Sequence, residues 1–506
     1  MKKLLMLLGV GLISTSYIVA QDITDAVRYS MDEIQGTARF KAMSGAFGAL
    51  GGDMSSVNIN PASSAIFNNS HASLSVGLFN KSNDISYFNE NNSSSDLTID
   101  LNQLGAVFVF NNVNSNSLWK KFSLSVAYDS STNFDNDWVA RGVNPNNTIG
   151  DYFVENANGQ PLDDISALPG ESLSQAYSEI GSIYGFQNQQ AFLGYEGYII
   201  NPDEDDTTNN YISAIKGGNY NQHYSYASSG YNGKLAFNFA TSYNDKFYFG
   251  LNLNSHFINY DRSTFLDESN SNASSTITNV NFENNLRTTG SGFSFQLGTI
   301  AKITEAFRVG LSYNSPTWYR VSEETSQYLA TTRIEGGVPI NQIVNPNIIN
   351  IYEDYKLQTP GKLTGSLAYV FGKKGLISFD YAIKDYSNIK FRPTSDSYFS
   401  SINNEINATL DTATSYKIGG EYRYKQLSFR GGYRFEESPY KDNDFYGDLN
   451  GYSLGLGYNF GDFNIDLAFS QSEREINYQL YNIGLTDAAS IKSKYTDFIL
   501  TLGFNI

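Results

Sequence analysis

Residues 246–257 read Lys-Phe-Tyr-Phe-Gly-Leu-Asn-Leu-Asn-Ser-His-Phe, and this stretch decides the fold. Apolar side chains recur at alternate positions from Phe247 to Phe257, while Gly250 and Asn252 lie between them. A period of two is the period of a β-strand, whose successive side chains point to opposite faces. The sequence therefore predicts a strand with one apolar face and one face of glycine and polar residues.

The same alternation recurs along the chain up to the last residues, where Phe498, Leu500 and Phe504 share one face. The predicted strands are 72–80, 101–111, 121–130, 233–243, 246–258, 289–302, 305–315, 361–371, 375–390, 413–424, 426–436, 450–460, 463–475 and 494–506. Their connections alternate between short and long, and the longest is 131–232. Outer-membrane barrels have short periplasmic turns and long external loops. We therefore predict an all-β fold, a 14-stranded antiparallel transmembrane β-barrel.

The non-aromatic faces of these strands carry paired charges. Glu421 and Arg430 lie on such faces of two successive strands, and Asp380 and Asp466 lie on those of two others. Such charges fit a wet or plugged lumen, with the aromatic face toward lipid. A soluble β-sandwich that exposes these charges to water is the alternative.

Composition excludes several classes of function. The chain of 506 residues has a formal net charge of −17, and a basic footprint for nucleic acid is missing. It contains no Cys, so a disulfide scaffold, a thiolate metal site and a cysteine nucleophile are excluded. Its 37 Tyr and 34 Phe fit a β-rich protein.

The N-terminus is predicted to be an export signal over residues 1–20. Lys2 and Lys3 precede an apolar stretch from Leu4 to Ile13, and cleavage is expected after Ala20. An uncleaved anchor is the alternative, although the apolar stretch is short for a membrane span. With the barrel pattern, this signal predicts the outer membrane of a Gram-negative bacterium.

Residues 21–70 do not have the pattern of barrel wall, which we expect over 71–506. The stretch 36–53 is rich in Gly, Ala and Ser and leads to Asn60-Pro61-Ala62. Small residues allow close backbone packing, so the segment is predicted to form a hatch inside the barrel.

In these features the chain resembles the FadL-like outer-membrane transporters of long-chain fatty acids and aromatic hydrocarbons. The resemblance covers nearly the whole mature chain, and it rests on the order and spacing of short motifs. These are the small-residue segment followed by Asn60-Pro61-Ala62, then Gly290 and Gly292-Phe293, Gly310-Leu311-Ser312-Tyr313-Asn314-Ser315-Pro316, Thr359-Pro360, Asp380-Tyr381, Asp385-Tyr386-Ser387, Gly420-Glu421-Tyr422, Arg430-Gly431-Gly432-Tyr433 and Glu437-Ser438-Pro439.

The resemblance implies a fourteen-stranded barrel closed by an N-terminal hatch. It also implies passive uptake of hydrophobic molecules such as long-chain fatty acids, captured at the external face and released sideways past the hatch into outer-membrane lipid. The expected ligand-binding residues of the hatch are Arg39, Phe40, Met43, Phe47, Leu50 and Met54. Asn60, Pro61 and Ala62 are expected to set the hatch bend beside a gap in the wall. Arg39 would pair either with a ligand carboxylate or with a wall carboxylate.

The loop 131–232 is longer than a transporter needs. Apolar residues recur there at helical spacing, at Leu173, Ala176, Tyr177, Ile180, Ile183 and Tyr184. This pattern predicts an amphipathic helix that either covers the barrel mouth or packs on other loops. A tyrosine run follows, at Tyr195, Tyr198, Tyr211, Tyr220, Tyr224, Tyr226 and Tyr231. This loop motivates a second hypothesis, a non-transporting barrel subunit of a larger secretion or protein-assembly complex that binds other outer-membrane proteins through the loop.

No catalytic, metal or cofactor site is predicted, and the chain is not expected to be an enzyme. His256 follows Ser255, but no residues that would complete a hydrolase site can be recognised. The stretch 203–206 is acidic but lacks the calcium-binding EF-hand pattern, so a solvated turn is the preferred interpretation.

Overall fold

A computed structural model describes residues 22–114, 116–203 and 209–506. The predicted signal peptide at 1–20 lies outside the described residues, as does the acidic turn after Asp203.

One continuous antiparallel sheet closes on itself. The first strand pairs with the second along His71↔Val107 to Tyr87↔Glu90, and with the last along His71↔Asn505 to Ser86↔Ser490. The strands are β1 His71–Tyr87, β2 Glu90–Asn111, β3 Trp119–Asn133, β4 Asn136–Asn144, β5 Ile200–Pro202, β6 Tyr211–Ser213, β7 Tyr220–Tyr243, β8 Phe247–Ser269, β9 Ile277–Lys302, β10 Phe307–Asn314, β11 Trp318–Glu335, β12 Val338–Val344, β13 Asn350–Ile351, β14 Tyr355–Gln358, β15 Lys362–Val370, β16 Gly375–Asp385, β17 Lys390–Arg392, β18 Thr412–Tyr424, β19 Leu427–Glu436, β20 Leu449–Asn459, β21 Phe463–Gln479 and β22 Ala488–Asn505.

The wall has fourteen positions, because several of them are occupied by more than one strand in succession, among them the position that β16 and β17 share beside β15 and β14. β3 and β4 both pair with β7, and β10 and β11 both pair with β9. β14 and β15 follow one another beside β11 and β10. The predicted closed 14-stranded antiparallel barrel is confirmed, and closure removes the alternative of a soluble sandwich.

Alternation along each strand separates a lipid-facing surface from the lumen. Leu454 is 58% exposed, and other large apolar side chains are exposed in the same way on neighbouring strands. The charged residues Asp380, Glu421, Arg430 and Asp466 are all buried inside the barrel. The predicted direction of both faces is therefore confirmed.

The predicted boundaries of the long external connections were wrong. The stretch 81–100 was predicted to be a loop, but β1 and β2 run through it to the turn at Phe88 and Asn89. Likewise β7 begins at Tyr220 rather than at 233. Residues 81–100 are rich in Asn, Ser and Asp, and residues 220–232 place Asn221, His223 and Ser225 on the outward face of β7. The outward alternation of apolar side chains that lipid imposes lower in the wall is therefore largely missing from both segments.

Three helices cover the external mouth: α3 Ile149–Ala157, α4 Leu173–Tyr184 and α5 Phe186–Glu196. The predicted amphipathic helix is α4, whose Ala176, Tyr177 and Ile180 are buried. They join an apolar cluster that includes residues from the upper ends of β1, β8, β9, β11 and β22. Of the tyrosine run, Tyr211, Tyr220, Tyr224 and Tyr226 belong to this cluster. The loop thus forms a packed cap across the mouth.

The N-terminal segment packs against wall residues that face the lumen. It contains α1 Ile23–Ser30, α2 Ala38–Ala42 and two 3₁₀ turns at Ser55–Asn58 and Pro61–Ile66. Asp22 caps α1 by accepting a hydrogen bond from Asp25 N. α1 packs against wall aromatics and against the remaining helix, α6 Ser397–Thr409.

Within the described residues, no helix is long and apolar enough to cross a membrane.

Candidate functional site

The segment 36–66, here called the hatch, is hydrogen-bonded to the wall on several sides. The backbone N–H groups of Phe47 and Gly48 donate to one Asp380 oxygen at 3.0 Å each. Ala38 N donates to Thr501 Oγ1 at 2.7 Å on another side of the lumen. Buried backbone donors need such partners, and here the wall supplies them.

Wall glycines allow this close approach. A Cβ added at Gly310 would lie 2.2 Å from Gly48 O, and one added at Gly250 would lie 2.2 Å from Pro61 C. At Gly419 and Gly432 an added Cβ would meet the Met43 backbone within 2.6 Å. The sequence analysis did not predict that these wall glycines make room for the hatch. Their position on the lumen face, between apolar residues, was a signal that could have indicated it.

A chain of charges links the hatch to three strands. Arg39 Nε lies 2.8 Å from Glu421 Oε2, which also accepts from Arg430 Nε at 2.7 Å. Arg430 Nη1 continues to Asp466 at 2.5 Å, and Arg423 Nε donates to the other Glu421 oxygen at 2.7 Å. In this structure Arg39 therefore pairs with a wall carboxylate, which is one of the two partners expected for it.

The other five hatch residues expected to face a ligand are in the packed interior. Phe40, Met43, Phe47 and Leu50 form one apolar cluster against Ala368 and Leu376 of the wall. Met54 packs in a second cluster with Val107 and Ala127. None of the five lines the cavity described below.

The predicted bend at Asn60-Pro61-Ala62 contacts strands β7 to β9. Asn60 Nδ2 donates to Gly48 O at 2.7 Å and to Thr299 O at 2.9 Å, while Asn238 Nδ2 donates to Pro61 O at 2.9 Å. Asn60 also caps the 3₁₀ turn that begins at Pro61. These bonds tie the bend to one side of the wall.

A cavity of about 280 Å³ lies in the lumen between the hatch, α1 and the wall. Its lining is both aromatic and charged. The aromatic members are Phe79, Phe134, Trp138, Tyr226, Tyr260, Tyr440, Phe445, Tyr446, Tyr478 and Tyr495. The charged members are Arg28, Asp32, Glu33, Lys41, Lys81, Asp96, Asp135, Arg434, Glu436, Arg474 and Asp497.

Two arginines of the cavity differ in their partners. Arg28 pairs with Asp25 of the same helix and lies over the Tyr260 ring, 4.5 Å from its centroid. Arg474 is only 6% exposed and donates through Nη1 to Tyr446 OH at 2.7 Å, while its Nε has no hydrogen-bond partner among the residues that the structure describes. A buried guanidinium donor without an acceptor is costly, so this atom is suited to an anionic group of a bound molecule. The sequence patterns did not single out either arginine.

Charge pairs also hold the segment between α1 and the hatch. Asp32 Oδ2 lies 2.8 Å from Lys362 Nζ and 3.2 Å from Lys384 Nζ. Enclosure within the lumen would by itself raise the pKa of Asp32, whose side chain is exposed to the cavity, but the two lysines outweigh this effect and hold the pKa well below its ordinary value.

The strand ladder is interrupted beside the cavity. β2 pairs with β3 from Asn111↔Lys121 up to Gln103↔Asp129, and above this point its one ladder partner among the described strands is β1. Side chains bridge the interruption instead: Asn133 Nδ2 donates to Thr98 Oγ1 at 3.4 Å, and Asn83 Nδ2 donates to Asn136 Oδ1 at 2.9 Å. Thr98 and Asn133 both line the cavity. We call this interruption the seam.

Other candidate chemistry finds little support. His256 Nε2 is 2.8 Å from Ser294 Oγ, and its ring meets Tyr319 edge-on. No group of three or more His, Asp or Glu side chains could hold a metal ion in the part of the chain that the structure describes.

Residues 204–478, more than half of the chain, match the model of one protein family, described as outer membrane protein transport protein (OMPP1/FadL/TodX). The chain belongs to this family. Two solved structures share the fold of this FadL-family chain. A Pseudomonas aeruginosa FadL homologue is 11% identical with a TM-score of 0.55, over 94% of this chain and 99% of that one. The Pseudomonas putida toluene transporter TodX is 12% identical with a TM-score of 0.52, over 93% and 99%. No curated protein sequence matches the chain.

Family membership identifies the chain as a FadL-like β-barrel transporter of hydrophobic compounds in the outer membrane. The family is one of transport channels and not of enzymes.

Proposed function

We propose that this FadL-family barrel takes up hydrophobic molecules with an anionic head, such as long-chain fatty acids, by passive diffusion. A ligand enters through the external cap, binds in the lumenal cavity and leaves sideways through the seam, past the hatch. The observation that carries the proposal is the cavity itself, which is lined by aromatic rings and a buried arginine and which adjoins the seam.

The lining favours an amphipathic ligand over a plain hydrocarbon. Aromatic faces such as Trp138 and Tyr226 accept an apolar body. A carboxylate would give Arg474 Nε the acceptor that it lacks, whereas a hydrocarbon would leave it unpaired.

Lateral exit follows from the energetics of an acyl chain. Each CH₂ group removed from water contributes about 0.8 kcal/mol, so release into the periplasm would be strongly unfavourable for a long chain. The seam offers another route, because among the described residues no backbone ladder crosses it, and it is bridged by side-chain donors such as Asn133 to Thr98 and Ser94 to the Asp137 carbonyl. The hatch residues Phe40, Met43 and Phe47 would meet a ligand only if the hatch moved.

Binding measurements on the purified barrel test the ligand class. We expect Arg474→Gln to weaken palmitate binding by about tenfold or more, since a hydrogen bond to a charged group contributes about 1.5–3 kcal/mol. Binding of the uncharged methyl ester should be unchanged. Arg320→Gln is the matched control, because Arg320 is exposed and pairs with Asp354. Equal loss of acid and ester binding would contradict an anionic head group.

The lack of native Cys allows a clean test of the exit. Cysteines at Thr98 and Asn133 would join the two sides of the seam, and we expect oxidation to stop uptake and reduction to restore it. The control pair is Ser263 and Asn285, which already face each other in the β8–β9 ladder. Uptake that continues through an oxidised seam would exclude this exit.

The second candidate is a non-transporting subunit of a larger outer-membrane complex. It is favoured by β12, which pairs only with β11 among the described strands. Ile343, Ile349 and Ile351 beside it are more than half exposed. Unpaired apolar edges are templates for strand addition by another chain. Purification in mild detergent distinguishes the candidates, since a stoichiometric complex with an empty cavity would favour this one.

A further inference from the structure

The periplasmic turns are basic although the whole chain is acidic. Five of these turns are 244–246, 302–306, 371–374, 423–426 and 460–462. They carry six cations, Lys246, Lys302, Lys373, Lys374, Arg423 and Lys425, against three acids, Asp245, Glu305 and Asp462. The formal net charge of the chain is −17, so this end of the barrel has the opposite sign from the average.

Four of the cations gather on two neighbouring turns. The backbone N of Arg423 donates to Lys374 O at 2.8 Å, which brings Lys373, Lys374, Arg423 and Lys425 together. All four are exposed. Glu421, the carboxylate that accepts from Arg423, is buried and is also bound by Arg39 and Arg430. The cluster therefore retains a surplus of positive charge, and we call these four residues the basic rim.

Aromatic side chains lie directly beside the basic rim on the lipid-facing surface. Tyr369, Phe371, Tyr422 and Tyr424 are each about half exposed. The Lys425 ammonium lies 5.5 Å from the centroid of the Tyr424 ring. Aromatic girdles mark the level of the lipid headgroups in membrane barrels. The basic rim is thus at the height of the headgroups of the periplasmic leaflet.

We propose that the basic rim binds the anionic phosphodiester headgroups of inner-leaflet phospholipids such as phosphatidylglycerol. Charge complementarity supports this occupant, because clustered Lys and Arg at headgroup level attract anionic lipid. The exposed tyrosines beside the cations contact the glycerol and upper acyl region of the same lipid. This lipid site is independent of the ligand that the lumen carries.

Native mass spectrometry of the barrel released from mixed nanodiscs tests the site. The nanodiscs contain phosphatidylethanolamine and phosphatidylglycerol, and retained lipids are counted by class. We expect the wild-type chain to retain phosphatidylglycerol preferentially. The variant K373Q/K374Q/K425Q should bind this lipid about a hundredfold more weakly, because three attractive charges are lost.

The matched control is K216Q/K356Q/K492Q, which removes three exposed lysines far from the periplasmic turns. We expect it to retain lipid as the wild-type chain does. Resistance of the barrel to SDS before heating checks the fold of both variants. If the rim variant does not fold, the wild-type preference is measured in rising salt, where screening should abolish it.

Equal phosphatidylglycerol retention by the rim variant and the control would overturn the proposal, and so would a wild-type preference that persists in about 1 M salt. Co-purification of an acidic protein without retained phosphatidylglycerol would likewise overturn it, and would mean that the surface binds protein.

Discussion

Adding one methyl group at Gly310 tests how the hatch is seated in the barrel. A Cβ at this position would lie 2.2 Å from Gly48 O, 2.8 Å from Gly48 C and 3.1 Å from Ala49 Cα. All three atoms are backbone, so no side-chain rotation relieves the contact. Gly310→Ala must therefore displace the hatch away from β10 or leave a severe overlap.

The expected magnitude is that of overpacking a closed interior, a loss of about 1–3 kcal/mol in the free energy of unfolding. Gly365 provides the matched control, because it pairs with Leu311 in the next strand and an added Cβ would meet nothing within 4 Å. Gly365→Ala should be neutral or slightly stabilising, since Ala loses less backbone entropy than Gly on folding.

Urea unfolding in micelles, followed by tryptophan fluorescence, measures the stability of both variants. Limited trypsin digestion reports the hatch directly, because Arg39 and Lys41 are held inside the barrel by Glu421 and Asp497. We expect a lower midpoint and faster cleavage at these two residues for Gly310→Ala only. Identical unfolding and cleavage for the two glycine variants would refute the seating of Gly48 against β10.

The remaining predictions concern the charges that hold the hatch and the cap. Glu421→Gln removes the carboxylate shared by buried guanidinium groups and should lower the free energy of unfolding by about 3–5 kcal/mol; a loss below about 1 kcal/mol would mean that water replaces the carboxylate. Glu268 accepts a hydrogen bond from Ile149 N at 2.9 Å at the start of α3. Glu268→Gln should therefore speed hydrogen exchange of the α3 amides and leave the amides of β18 and β19, which contact the hatch, unchanged. The lowered pKa of Asp32 means that its contribution to stability is present above the ordinary carboxylate pKa and is lost as pH falls below it. Thermal unfolding should therefore fall more steeply with acid in the wild-type chain than in Asp32→Asn, and parallel curves would contradict the Lys362 and Lys384 contacts.

The wall could be predicted from the sequence where lipid dictates the pattern. From Phe247 to Leu253 every second side chain is apolar, and the predicted strand 246–258 falls in β8 apart from its first residue. Above the bilayer that constraint ends. Residues 90–96 read Glu-Asn-Asn-Ser-Ser-Ser-Asp. This polar run forms a strand because β1 supplies its backbone hydrogen bonds, and the local sequence contains no signal for that pairing.

The lumen could be predicted less well than the wall. Small residues in 36–53 indicated a threaded interior segment, but they did not indicate which side chains would meet a ligand. Arg39 pairs with Glu421, 382 positions further along the chain. Arg474 lies on β21 and lines the cavity, where its Nη1 contacts Tyr446 OH and Met31 Sδ. Its sequence neighbours did not indicate these contacts. These contacts form only when the barrel closes, because closure brings together residues that are distant in sequence.

The height of the seam explains how a barrel tolerates an interruption of its ladder. The β2–β3 ladder covers Gln103 to Asn111, roughly 30 Å along the strand, or roughly 24 Å of height at the tilt usual for such barrels. That height equals the apolar band of an outer-membrane barrel, in which unpaired backbone groups are not tolerated. The seam therefore begins at the external boundary of the hydrocarbon, so a ligand that leaves through it enters the outer leaflet from its headgroup side, and the polar bridge from Asn83 to Asn136 fits that boundary. Leu97 and Ile99 lie on the part of β2 above its ladder with β3 and are 61% and 74% exposed. Their side chains extend an apolar surface from the seam. A ligand that leaves the cavity here would meet apolar side chains before it meets water, which is the condition that lateral release requires.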